Sequence, residues 1–165
     1  ADGSDFTKVN PKGQVPALVL DNGEVLTEGP AVVQWIADQA PAKGLAPANG
    51  TPERYRLQEW LNFVSTDLHK SFGPLFNPAM PEEAKTIFRN MIMAKLKLVE
   101  QALAGKDYLM GNSFTVVDGY LFTLLTWAEK MKFDLSGLPN VTAFKARVAA
   151  RPAVQAAVQA EAAKA

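Results

Sequence analysis

The spacing of apolar residues changes along the chain and divides it into a short β part and a long helical part. Residues 15–20 and 24–27 have the composition typical of strands, and Asp21-Asn22-Gly23 between them is typical of a tight hairpin turn. A helix is predicted over residues 30–40. Beyond residue 52 the apolar positions recur at spacings of three and four, which predicts further helices. We therefore expect a mostly α protein with a small α/β part.

A segment rich in Pro, Gly, Ala and Asn, residues 41–51, separates the two parts and predicts a linker. Residues 1–40 carry the β-type signals and form the first predicted unit. Residues 52–165 form the second unit, which we expect to be an all-helical bundle. Its helices are predicted over residues 52–76, 81–105, from 115 onward, 140–150 and 153–163.

Two of these helices have distinctive patterns. The helix over residues 81–105 continues through the apolar positions Ile87, Met91, Leu98 and Leu103. The helix that begins after Thr115 opens with a capping box, in which the Asp118 side chain reaches back to the cap residue Thr115. It is apolar nearly all round, which predicts the central buried helix of the bundle.

Composition excludes several classes of function. The formal net charge is zero, with 17 basic and 17 acidic residues, so there is no electrostatic case for binding nucleic acid or an anionic membrane. No apolar run approaches the roughly 20 residues that span a bilayer. We expect a cytoplasmic protein. The absence of cysteine excludes disulfides, thiolate metal sites and a cysteine nucleophile within this chain, and with a single histidine we expect no metal site.

The hairpin and the next helix together predict a ligand site. Pro16 stands at the start of a strand, and a cis bond before it would leave the backbone N–H and C=O of Val15 unpaired for an extended peptide ligand. Glu28-Gly29-Pro30 then opens a helix, whose free N–H groups and positive dipole end suit a carboxylate.

The string Asn-Pro-Lys-Gly-Gln-Val-Pro-Ala-Leu that begins at Asn10 resembles the thioredoxin-like domain of glutathione S-transferases, and most closely the bacterial beta class. The resemblance continues to the C-terminus, where Gly111, the capping box and the buried helix are similar to the family's all-helical domain. It implies a partial thioredoxin-like ββα unit followed by the helical bundle. It also implies that Val15 pairs with the cysteinyl backbone of glutathione, and that Glu28 and Gly29 hold the γ-glutamyl carboxylate.

A narrow polar stripe follows the first long helix of the bundle. At about 100° per residue, Asn62, Thr66, His69 and Gly73 share one face, which by itself is typical of an ordinary solvated surface. The resemblance instead implies that this stripe lines the active-site cleft. The further glutathione-binding positions that it implies are Asn62, Thr66, Asp67, Leu68 and His69.

The same resemblance assigns His69 a supporting catalytic role and implies a site for an electrophile. The imidazole of His69 would offer a hydrogen bond or a positive charge to the glutathione thiolate, which is the nucleophile. An apolar slot would lie beside the sulfur, although aromatic residues on buried helices are more often plain core. The residues implied for the electrophile site are Lys70, Phe72, Tyr120 and Trp127.

The predicted hairpin needs a further partner, because two strands and one helix are marginally stable alone. In the family a βαβ unit precedes the ββα unit, and we expect that unit to be absent from this chain. The main catalytic residue, a cysteine in the beta class, would then lie upstream of Ala1. If these residues were the whole polypeptide, the first strand would present an open edge to another chain.

Three functions follow as alternatives. The resemblance implies a glutathione S-transferase that conjugates the glutathione thiolate to small hydrophobic electrophiles in detoxification. A truncated chain with the same fold could instead be a non-catalytic binding or interaction module. A glutathione-dependent thiol-disulfide reductase would need a cysteine that this chain lacks. The resemblance also implies a homodimer, with Asn62 and Asp67 crossing the interface.

Overall fold

The computed structural model describes residues 3–163, so the outermost residues of both predicted domains lie outside the described part. Strands β1 (Ala17–Val19) and β2 (Val25–Thr27) form an antiparallel pair in which Ala17 lies opposite Thr27. The predicted hairpin is confirmed, with strands shorter than expected, and the Val15–Pro16 peptide bond is cis. Helix α1 (Gly29–Asp38) follows β2 directly.

The rest of the chain is helical, as predicted. Proline occupies the first position of several helices, where its missing N–H removes no helical hydrogen bond and its fixed φ suits the helix. Short 3₁₀ turns lie at Phe6–Lys8 and Pro41–Lys43. The helices are α2 (Pro52–Asn62), a π-helical segment (Phe63–His69), α3 (Lys70–Phe76), α4 (Glu82–Ala102), α5 (Val116–Lys130), α6 (Pro139–Ala149) and α7 (Pro152–Ala162).

Helix α5 lies at the centre of the bundle, as its apolar composition predicts. Its side chains at Val117, Leu121 and Leu125 are fully buried and pack with residues from α2, α4 and α6 in one core. Burial of this size supplies most of the stability of a bundle. Within residues 3–163 no helix is both long and apolar enough to cross a membrane.

Helix α4 turns a different stripe toward the core from the one its sequence indicates. Ile92, Leu96 and Val99 are buried, whereas Met91 and Leu98 are 41% and 53% exposed. Ile87 is also exposed, and of the four indicated positions Leu103 alone is buried. The two stripes differ by one residue, which is a rotation of about 100° on a helix. Because α4 is apolar on both stripes, spacing alone does not decide which one is buried.

A buried arginine fixes α1 against α2 across the linker. The guanidinium of Arg54, which is 3% exposed, donates to both carboxylate oxygens of Asp38 at 2.8 Å and to the carbonyl oxygen of Pro47 at 2.9 Å. Arg54 also donates to Gln34 Oε1. A bidentate arginine pair of this kind sets orientation as well as distance. The ββα unit and the bundle are therefore held in one geometry.

Candidate active site

The loop before β1 is shaped by Asn10, which is 3% exposed. Its Nδ2 donates to the carbonyl oxygen of Gln14 at 2.6 Å, and its Oδ1 accepts from the backbone N–H of Lys12 at 3.2 Å. These bonds present Val15 at the end of the loop, just before β1, where the residue is 82% exposed. The predicted peptide-binding position therefore faces solvent.

Glu28 forms the other side of this half of the site. It is the N-cap of α1 and has a positive φ of 71°, which is uncommon for a residue with a side chain. Lys12 Nζ donates to Glu28 Oε1 at 2.5 Å, and this hydrogen bond, with the charges of Lys12 and Lys70, lowers the pKa of the Glu28 carboxyl. The carboxylate of Glu28 thus lies beside the positive dipole end of α1, which begins at Gly29.

Tyr120 on α5 connects this half of the site to the helical stripe. Its ring lies so close to α1 that a Cβ atom added to Gly29 would be 3.8 Å from it. Its hydroxyl oxygen is 2.6 Å from Nδ1 of His69. The N-terminus of α1, the centre of the bundle and the π-helical segment therefore meet at one phenol ring.

His69 is half-buried in an aromatic setting. Its ring contacts Trp127 edge-on with centroids 4.9 Å apart, and Tyr120 in the same manner at 5.7 Å. Burial, and then the neighbouring charge of Lys70, lower the pKa of His69 below its usual 6.5. Burial, and then the charge of Glu28, raise the pKa of Tyr120. At pH 7 both rings are therefore predominantly neutral.

The polar stripe does not lie on one regular α-helix. Residues Phe63–His69 are π-helical, a rare form in which N–H groups bond five residues back and which often occurs at functional sites. Asn62, Thr66 and Asp67 are exposed along it, and Thr66 Oγ1 donates to the carbonyl oxygen of Asn62 at 2.8 Å. A Cβ atom at Gly73 would meet nothing within 4 Å, so the surface beyond His69 is open.

Two of the predicted site residues lie in the core. Leu68 and Phe72 are fully buried, so their side chains offer no surface to a ligand. They belong to the apolar side of the helix and are part of the core of the bundle. Phe72 instead supports the site from behind, because its ring contacts Trp127 with centroids 5.9 Å apart. Lys70 is exposed and Trp127 is partly buried, next to His69.

Two residues that contact the site were not predicted from the sequence. Lys12 contacts Glu28, and Phe76 contacts Trp127 with ring centroids 5.2 Å apart while 55% exposed. The signal for Phe76 was available, because it follows Phe72 by four residues on one helix face. Lys12 gave no signal beyond its charge, since 16 residues separate it from Glu28.

Comparison with known proteins agrees with this geometry. The family of the glutathione S-transferase C-terminal domain matches residues 63–152, and that of the glutathione S-transferase N-terminal domain matches residues 2–39. Glutathione S-transferase GstA of Escherichia coli O157:H7 is 49% identical over 161 residues, which cover 97% of this chain and 80% of the relative. These matches define the class of protein as a glutathione S-transferase.

Two solved structures are similar over nearly the whole chain. BphK, a bacterial GST in a ternary complex, has a TM-score of 0.96 and 52% identity, covering 98% of this chain and 81% of that one. The bacterial beta class enzyme of Sphingomonas chungbukensis has a TM-score of 0.92 and 46% identity, covering 96% and 79%. The chain belongs to the glutathione S-transferase family. It is a glutathione transferase, with glutathione as its substrate.

These comparisons also bear on the expected absence of a βαβ unit. The chain spans about four-fifths of the length of the relatives described above, and the N-terminal family matches from residue 2. The comparisons do not support the expectation that the N-terminal part is lacking. The ββα unit of residues 17–38 is the thioredoxin-like part of this chain, and it is followed by the family's helical domain.

Proposed function

We propose that this protein is a beta-class glutathione S-transferase that joins the glutathione thiolate to small hydrophobic electrophiles. The observation that carries the proposal is the position of Tyr120, which lies against Gly29 and within 2.6 Å of His69. The two predicted halves of a glutathione site therefore share one side chain. We propose the cytoplasm as its location, because that compartment keeps glutathione reduced.

The proposed division of the chain follows the site. Residues 1–40 form the glutathione-binding unit, residues 41–51 the linker and residues 52–165 the helical domain. In the first unit, the γ-glutamyl carboxylate lies at the N-terminus of α1 beside Gly29, where backbone N–H groups and the helix dipole favour an anion. The resemblance gave Glu28 the same carboxylate, but its own side chain is negatively charged, so we propose that it pairs with the γ-glutamyl ammonium group instead. The exposed backbone of Val15 pairs with the cysteinyl residue.

The role that we propose for His69 is a hydrogen bond to sulfur from a neutral ring. Tyr120 stays protonated at pH 7, so its hydroxyl can donate to Nδ1 of His69 over the observed 2.6 Å. That bond selects the tautomer with the proton on Nε2. The Nε2–H group is then available to the thiolate, and it stabilises the charged nucleophile without the positive charge that burial opposes.

The electrophile would lie on the aromatic surface beside His69. Trp127, Phe76 and the edge of Tyr120 form this surface, with Lys70 at its rim, and flat apolar substrates suit such walls. With 1-chloro-2,4-dinitrobenzene the thiolate sulfur forms a bond to the ring carbon, and the chlorine leaves as chloride with the bonding electrons. Catalysis then comes from proximity and from stabilisation of the thiolate.

Conjugation of 1-chloro-2,4-dinitrobenzene with glutathione, followed by absorbance of the product, tests this function. We expect turnover that depends on both substrates, and retention of the protein on immobilised glutathione. Retention without product formation would replace the proposal by a non-catalytic binding module of the same fold. A protein that neither binds the resin nor forms product would contradict the glutathione site as a whole.

Replacing Glu28 by Gly should separate binding from backbone strain. The variant loses the carboxylate, so we expect glutathione to bind roughly tenfold more weakly, the loss of one charge-assisted hydrogen bond. Glycine adopts a φ of 71° without strain, so thermal stability should stay equal or rise. Isothermal titration calorimetry and thermal denaturation measure the two effects.

Lys132 offers the matched control for Glu28→Gly, because it is the other described non-glycine residue with a positive φ, 59°, and lies after α5, away from the glutathione-binding unit. Lys132→Gly should leave glutathione affinity unchanged. Equal affinity of the Glu28→Gly variant and the parent would show that Glu28 does not hold glutathione.

A homodimer through the exposed apolar stripe of α4 is the second part of the proposal. Leu98, with Trp60 and Phe63, lines an open surface cavity of about 300 Å³, and Ile87 and Met91 extend the apolar surface along α4. Apolar patches of this kind are typical of subunit interfaces. Asn62 and Asp67 lie exposed at the adjoining end of the long helix, where they would reach glutathione of the other subunit.

Replacing Leu98 by Glu should convert the dimer into a monomer. A carboxylate in an apolar contact must be desolvated without a partner, which costs several kcal/mol for each of the two symmetric copies. Light scattering after size-exclusion chromatography reads the mass directly. Val158→Glu, on the exposed side of α7, controls for added surface charge and should leave the mass unchanged. A monomeric parent protein would contradict the proposal at once.

A further inference from the structure

A lysine of α4 reaches the backbone of the π-helical segment. Lys95 Nζ donates to the carbonyl oxygen of Asp67 at 2.6 Å and to Ser71 Oγ at 2.9 Å. Ser71 Oγ in turn donates to the same carbonyl oxygen at 2.7 Å. The side chain of Lys95 is 19% exposed and Ser71 is 5% exposed, so this three-membered network is largely removed from water.

The position of this network on the backbone is unusual. In a π turn the N–H groups bond five residues back, so the carbonyl pattern differs from that of the α-helix on either side. The carbonyl of Asp67 takes two side-chain donors near the end of this turn, and one of them is charged. Charge-assisted bonds in a partly dry setting are about twice as strong as neutral ones.

The charge of Lys95 is compensated at shorter distance by these hydrogen bonds than by its ion pair with Asp67. The nearest carboxylate oxygen, Oδ1 of Asp67, is 4.0 Å away. A partly buried ammonium group needs hydrogen-bond acceptors to repay its desolvation. The two acceptors of Lys95 therefore hold α4 to one backbone conformation of residues 63–69.

We propose that Lys95 is a positioning residue for His69. His69 follows Asp67 by two residues at the end of the π-helical segment, and the observed conformation of the segment places its Nδ1 at 2.6 Å from the Tyr120 hydroxyl. The hydrogen bonds of Lys95 go to Asp67 and Ser71. It acts through the carbonyl oxygen of Asp67, and its importance for catalysis rests on the role proposed above for His69.

Lys95→Met tests this proposal, because it keeps the length of the side chain and removes the ammonium group. The sequence contains one histidine, so the imidazole signals in an NMR spectrum belong to His69 without further assignment. In the parent protein we expect nuclear Overhauser contacts from His69 to Tyr120 and Trp127. In the variant these contacts should weaken, and turnover should fall roughly three- to tenfold, with glutathione affinity within about twofold.

Two further variants keep the test decisive. Lys97→Met removes the same charge from an exposed position of α4 and should change neither the His69 contacts nor turnover. Ser71→Ala removes one member of the network and should produce the same changes as Lys95→Met, but smaller. If Lys95→Met does not fold, Ser71→Ala carries the test. Unaltered His69 contacts in both variants would overturn the proposal.

The NMR measurement also separates this proposal from the proposed function. If His69→Ala leaves turnover unchanged, the proposed catalytic role of His69 is wrong. The NMR contacts of His69 in Lys95→Met still test, independently of turnover, whether Lys95 positions His69. Weakened His69 contacts combined with normal turnover would show that Lys95 only stabilises the conformation of the π-helical segment. That result would contradict its importance for catalysis.

Discussion

Replacing His69 by Ala is expected to lower the turnover number for glutathione conjugation roughly 10- to 100-fold. Removing one positioned donor from a buried anion costs about 100- to 1,000-fold, and we expect less here because His69 is only half-buried. Glutathione affinity should stay within about twofold, because the γ-glutamyl and cysteinyl contacts that we propose lie on Val15, Glu28 and Gly29. Steady-state kinetics with varied glutathione and calorimetric titration measure these quantities.

Tyr120→Phe is the matched variant for His69→Ala. It keeps the ring that lies against Gly29 and removes the hydroxyl that is 2.6 Å from Nδ1 of His69. Because the imidazole remains but loses the bond that selects its tautomer, we expect a smaller fall in turnover than for His69→Ala. A turnover number that is unaltered in His69→Ala would refute the hydrogen bond to sulfur.

Replacing Asp118 by Ala should lower the free energy of unfolding by about 3–5 kcal/mol, since two buried N–H groups and a hydroxyl lose their acceptor at once. The fully buried carboxylate accepts from the backbone N–H groups of Leu109 at 2.9 Å and Thr115 at 2.7 Å, and from Thr115 Oγ1 at 2.9 Å. Burial raises the pKa of this carboxyl group, and the donated hydrogen bonds oppose that rise.

Urea unfolding followed by tryptophan fluorescence measures the loss, with an exposed aspartate as control. Asp134 accepts a backbone N–H bond from Ser136 at 3.0 Å but lies in solvent. Asp134→Ala should therefore cost less than about 1 kcal/mol, because water replaces the lost acceptor. If both variants lose an equal free energy of unfolding, the burial of Asp118 does not account for its contribution to stability.

The capping box shows which parts of the molecule were accessible from the sequence. Thr115 and Asp118 are three residues apart, so the bond between them is local and its signature is a spacing. The same holds for the turn at residues 21–23, for the proline that begins α2 and for the apolar surface of α5. The resemblance added the site positions Val15, Glu28, Gly29 and His69, because they lie within recognisable strings.

Other features depended on a choice among alternatives that the sequence leaves equal. Helix α4 has two apolar stripes, and packing against α3 and α6 decided that Ile92 and Leu96 are buried while Leu98 is exposed. Leu68 and Phe72 are a different case, because their apolar spacing of four along the helix agrees with their burial, and it was the resemblance that placed them in the site. No residue in Phe63–His69 indicates a π turn in the sequence, since the hydrogen bonds of a π turn compete closely with those of an α-helix.

The mostly helical fold, the hairpin and the capped central helix could be predicted from the amino-acid sequence, as could, by resemblance, the family and its ligand. These follow from interactions between residues a few positions apart, or from strings that remain recognisable. Helix packing was needed to reveal the pairing of His69 with Tyr120, 51 residues away, and the contact of Lys95 with the π-helical segment. Such contacts depend on how whole helices rotate and pack, which no local spacing records.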